Sequence, residues 1–154
     1  MFESLTRYIS DLNASSHGEW ILDRKNDGSP EHPIQMPFVD YDEIAVRFME
    51  DVSKFIDAHQ EMSLTHYGDI LERNGLKWST ESMTAADASK LDGQAVMALI
   101  VGAIRADRFC DGALLEFLEN GSVARWLRRL KEIDDAEIGF DGDLGEDWED
   151  EENG

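Results

Sequence analysis

The stretch "KLDGQAVMALIVGAIRAD", Lys90 to Asp107, decides the fold class. Its apolar residues fall almost all the way around a helical wheel, so the pattern predicts a central helix that belongs in a core. Ala98, Gly102 and Ala106 lie four apart and leave one face shallow, which lets another helix approach closely, while Leu99, Ile100 and Ile104 supply bulk. The longest apolar run, Ala95 to Ile104, falls short of the roughly 20 residues needed to cross a bilayer.

A helix buried on every side needs amphipathic neighbours, and the flanking sequence provides them. In Tyr41 to Ala58, Ile44, Phe48, Val52, Phe55 and Ile56 recur at helical spacing, while Glu43, Arg47, Glu50, Lys54 and Asp57 alternate in sign along another face. "THYGDILERNGLKW" predicts a short helix closed near Gly75, and "STESMTAADASK" a connection with a helix start at Thr84 and Asp87. After the central helix, Phe109 and Cys110 end the buried segment and Asp111 caps a short helix through Leu118. Asn120-Gly121 stops that helix, and Ser122 caps a last one ending around Ile133. At the other end, Phe2, Leu5, Ile9 and Leu12 suit an amphipathic helix over Met1 to Asn13. "EWILD" and "IQMPFVDY" flank a turn-rich "RKNDGSPEHP", which reads as a β-hairpin or a long ordered loop over about residues 19–40; Pro37 weakens the second strand. The expected architecture is mainly α, a compact single-domain bundle of five or six helices over residues 1–133 with an N-terminal hairpin.

Charge bounds the partners. The chain has 154 residues, 42% of them apolar, and a formal net charge of −20. Such a charge disfavours direct nucleic-acid binding and anionic membranes, which both depend on Lys and Arg, and points instead to basic partners. The last 21 residues, Asp134 to Gly154, hold 11 acids and no base, leaving 23 acids against 14 bases in the other 133. That segment is expected to be a disordered acidic tail. One cysteine, Cys110, excludes an internal disulfide and argues against a thiolate zinc site, as expected in a reducing, cytoplasmic setting. No leader or anchor is expected from the sequence.

"RADRFCDGALLEFLENGSVARWLRRLKEI", Arg105 to Ile133, resembles the C-terminal signature of a bacterial protein family catalogued only as a domain of unknown function. "YDEIAVRFMEDVSKFI" and "HYGDILERNGL" look like its earlier helices, which extends the resemblance from about Tyr41 to Ile133. The first 40 residues and the acidic tail depart from that pattern. The resemblance implies a place on bacterial genomes and mobile elements, and no activity, cofactor or site residue.

Site motifs are sparse. His17, His32, His59 and His66 show no metal-ligand spacing, and no metal or cofactor is expected. "DGDLGEDWEDEE" puts Glu146 where a calcium loop needs its glycine, so diffuse cation association is the better reading. Cys110 reads as structural, because an activated thiol needs a base or positive surroundings that the sequence does not display. In "ARWLRRLK", Arg125, Arg128 and Arg129 flank an apolar stripe of Val123, Trp126, Leu127, Leu130 and Ile133. Three roles are open to those arginines: a solvated or locally paired face, docking of the acidic tail, or an external anion. Trp126 reads as core.

The functional expectation is a non-enzymatic interaction protein whose carboxylates engage a basic partner surface. The candidate contacts are Asp141, Asp143, Glu146, Asp147, Glu149, Asp150, Glu151 and Glu152, with Trp148 as a stacking or wedge residue. In its sharpest form the partner surface is a nucleic-acid-binding groove and the protein an anti-restriction or anti-CRISPR-like inhibitor. Two other classes stay open. One is a helical adaptor or oligomerising module with a merely solubilising tail, discriminated by exposed apolar area; the other is an enzyme, discriminated by a pocket with convergent polar groups.

Overall fold

The computed structural model describes residues 1–12, 17–21, 29–31, 38–110 and 112–144, with side chains described to Ala136. A one-turn helix α1 (Glu3–Thr6) precedes the strands β1 (Gly18–Ile21) and β2 (Phe38–Tyr41). The helices α2 (Glu43–Ala58), α3 (Tyr67–Arg73), α4 (Thr80–Ala85), α5 (Gly93–Ala106), α6 (Ala113–Glu119) and α7 (Ser122–Leu144) follow. The fold is mainly helical with a small antiparallel hairpin, in which Gly18 faces Tyr41 and Trp20 faces Val39. Seven helices stand among the described residues, where five or six were expected.

α5 is the axis of the core. Every residue from Ala95 to Ala103 is buried, and α3, α6 and α7 all pack against this helix. It begins at Gly93 rather than Lys90 because Asp92 caps it, its Oδ1 accepting the Ala95 amide at 2.9 Å. The shallow face at Gly102 receives a side chain: the Trp78 indole donates to the Gly102 carbonyl at 2.9 Å, and a Cβ at Gly102 would stand 3.4 Å from that ring. From α2, Phe48, Val52 and Phe55 enter the core, and from α7 Trp126 packs with its ring tilted against Phe117, centroids 5.4 Å apart. Trp126 is core, as its stripe predicts.

Several local expectations need correction. The first helix is a single turn, because Tyr8 and Ile9 donate to Leu5 and Thr6, three residues back, and the chain tightens into turns up to Leu12. Phe2, Leu5 and Leu12 are still buried, joined by Tyr8. Thr84 lies inside α4 and not at its start, since the Ser79 hydroxyl caps that helix by accepting the Ser82 amide; Asp87 instead caps the turn Ala88–Lys90. The last helix does not end at Ile133 but continues to Leu144. Asp134, assigned by its charge to the tail, is buried in the body, where its carboxylate accepts the Phe2 amide at 2.8 Å and the Met1 amine at 3.1 Å. The reason is positional: Asp134 follows Ile133 on the packed stripe of α7, and the terminal turn of the chain supplies the donors it needs.

Candidate functional site

Three large aromatic side chains remain uncovered on one side of the molecule. Phe109 is 79% exposed, Trp20 48% and Trp78 43%. They line a single open groove of about 690 Å³, floored by the buried Met83, Leu115 and Phe117. Trp20 comes from β1, Trp78 from the connection between α3 and α4, and Phe109 from the turn after α5. Trp78 is held in place: its indole N–H is tied to Gly102, Tyr67 lies edge-on at 5.4 Å and Phe109 at 5.7 Å. Apolar surface of this kind, left in water, costs free energy relative to its burial.

One carboxylate fixes the walls of the groove. Asp107, at the C-terminal end of α5, accepts the Tyr41 hydroxyl at 2.7 Å and the amides of Gly112 and Leu114 at 3.1 and 3.2 Å. The same Tyr41 oxygen accepts the Leu115 amide at 3.1 Å. β2, the end of α5 and the first turn of α6 are thereby joined at one point. This places a capping carboxylate at α6, where orphan amides need an acceptor, and the residue is Asp107; Asp111, the expected cap, lies outside the described residues. Gly112 follows with φ +90°, and a Cβ there would stand 2.4 Å from Cζ2 of Trp20, so the indole rests directly on bare backbone.

The groove is acidic as well as aromatic. Glu116 and Glu119 of α6 lie on it, together with Ser79, Thr80 and Asn120, and no lysine or arginine lines it among the described residues. Lys77 and Arg108, neighbours in sequence of two of the aromatics, line other hollows. Cys110 is exposed on the groove wall, and Phe109 is the most exposed aromatic of the three, which corrects the expectation that the two close a buried helix. The helix ends at Ala106, and the turn that follows, with Phe109 and Cys110 both donating to the Ala106 carbonyl, swings these side chains outward. Among the described residues, no histidine lines the groove.

The arginine face is locally paired. Arg125 donates to the Thr84 carbonyl at 2.7 Å, and Arg129 to the Leu91 carbonyl at 3.1 Å and to Glu132 at 3.4 Å. These two cations close the ends of α4 and the following turn against α7; Arg128, beside them, lines the same shallow hollow. The side chains of Asp141 and Asp143, and residues Glu146, Asp147, Trp148, Glu149, Asp150, Glu151 and Glu152, lie outside the described residues. Among the described residues, no three His, Cys, Asp or Glu side chains converge on a metal position, and no helix is long and apolar enough to cross a membrane.

The described residues thus form a mainly helical domain with an open aromatic groove that carries two carboxylates on its lining. By sequence the chain belongs to a family of unknown function, DUF6508, whose model matches residues 2–136. The match includes the first 40 residues, which the resemblance had left out, and ends at the start of the acidic segment. No curated protein and no solved structure matches the chain.

Proposed function

We propose that this protein is a non-enzymatic, acidic interaction protein that binds a basic segment of a partner, with the aromatic groove as its docking surface. The observation that carries the proposal is the pairing of three exposed rings with two carboxylates, and with no lysine or arginine among the described residues, on one lining. Tryptophan-rich patches supply much of the energy of protein interfaces, and covering each ring is worth on the order of 1–3 kcal/mol. The acids of 141–152 act at longer range, steering a basic partner toward the body and raising the association rate at low salt. Relative to the expectation from sequence, the principal contact moves from the acidic segment to the groove.

Selection from a displayed random-peptide library on the full-length protein tests this. Recovered peptides should combine basic with apolar residues and lose binding to a Trp78→Ala, Phe109→Ala variant whose circular dichroism is native. Enrichment of acidic peptides, or equal binding to that variant, would contradict the proposal.

A further inference from the structure

Resting on the proposal that the groove binds a basic partner, we infer that the side chain it reads is arginine, carried on an apolar segment of a second protein. Trp20, Trp78 and Phe109 present aromatic surface to a cation, and the indole is the ring to which cations bind best. A guanidinium is planar and weakly hydrated, so it stacks on such a ring while its fork of N–H donors meets a carboxylate; a lysine ammonium does the first poorly and the second as a point charge. Glu116 and Glu119 stand on the same lining to receive that fork. Trp78 is already immobilised by the Gly102 carbonyl and by its two aromatic neighbours, so little side-chain freedom is lost on binding. A groove of about 690 Å³ exceeds one guanidinium, and its buried floor of Met83, Leu115 and Phe117 suits apolar residues on either side of the arginine.

Charge complementarity selects this occupant over the two that the chain itself could supply. The run Glu146 to Glu152 brings six more carboxylates against Glu116 and Glu119, and a second copy brings a further net charge of −20.

The test uses full-length protein and four synthetic peptides that share one leucine-rich frame and carry arginine, lysine, citrulline or glutamate at the same two positions. Occupancy is read from the rate at which N-ethylmaleimide alkylates Cys110, the single cysteine, which is exposed in the groove. The arginine peptide should slow alkylation, the lysine peptide should bind about threefold or more weakly, and citrulline, which keeps the plane but loses the charge, about tenfold more weakly. Phe109→Ala, at the most exposed ring, tests the groove without disturbing the core. Equal affinity for arginine and lysine would overturn the arginine inference and leave the basic-partner proposal standing. Equal affinity for citrulline or glutamate, or binding that leaves Cys110 unprotected, would overturn both.

Discussion

Asp107→Ala removes the acceptor that joins three elements beneath the groove. The carboxylate receives one phenol and two amides, at 2.7, 3.1 and 3.2 Å. Losing a capping side chain at a helix start costs about 0.5–2 kcal/mol, and a hydrogen bond to an ionised acceptor contributes about 1.5–3 kcal/mol. Asp107 is only half-buried, so water recovers part of this, and the expected loss is about 2–4 kcal/mol. In a domain of this size that lowers the melting temperature by about 5–15 °C. Asp107→Asn keeps an oxygen at the same place without the charge and should lose about 1 kcal/mol. Urea unfolding followed by circular dichroism measures both. Because the Tyr41 oxygen also accepts from Leu115, Tyr41→Phe and Asp107→Ala should be strongly non-additive, with a coupling of about 0.5–3 kcal/mol. A loss below about 0.5 kcal/mol for Asp107→Ala, or strict additivity with Tyr41→Phe, would refute the assigned node.

Gly112→Ala should cost about 1–2 kcal/mol from its positive φ alone, and it should also push Trp20 off the groove wall, seen as a changed tryptophan emission and weaker peptide binding. Asp51 accepts the Tyr8 hydroxyl and an Arg7 N–H, each at 2.6 Å, and the Tyr8 bond above all, then Arg7, holds its carboxyl below the ordinary range against the opposing effect of burial. A depressed carboxyl adds stability above its unfolded value and loses it as pH falls through the folded one. Asp51→Asn should therefore be less stable than wild type at pH 7, with the gap closing below about pH 4 in urea titrations; a gap independent of pH would contradict the pairing. Asp134→Ala should lower stability by about 1–3 kcal/mol because it strips the buried acceptor from the Phe2 amide, and Asp135→Ala on the exposed side of α7 should change it little.

The core was legible because its signal is local. The all-round apolar character of Ala95 to Ala103 and the helical spacing of Phe48, Val52 and Phe55 are properties of single segments, and both survive in the fold. The groove was not, because it is assembled from Trp20, Trp78 and Phe109, each an isolated aromatic at the edge of a different element. In sequence Phe109 reads as the end of a buried segment and Trp20 and Trp78 as parts of a strand and a short helical stretch; only the packing of α4, α6 and the hairpin around them leaves the rings uncovered. At α6 the need for a cap was legible, and the contribution of Asp107 to it was not. α6 requires an acceptor, but the turn after α5 brings Asp107 to it, which nearness in sequence does not reveal. Asp134 misled for a third reason: a carboxylate counted with its charged neighbours was in fact matched to donors at the far end of the chain.

The chain's four tryptophans separate the two surfaces a basic partner would meet. Trp20 and Trp78 line the groove, Trp126 is fully buried, and Trp148 stands within the acidic run. The most direct test follows the four indole N–H resonances of full-length protein, each assigned by single substitution, while an arginine-bearing amphipathic peptide is added. The groove predicts that the Trp20 and Trp78 signals move together and saturate, with Trp126 and Trp148 nearly still. Movement of Trp148 alone, with Trp20 and Trp78 unchanged, would place the contact on the acidic segment and contradict the groove.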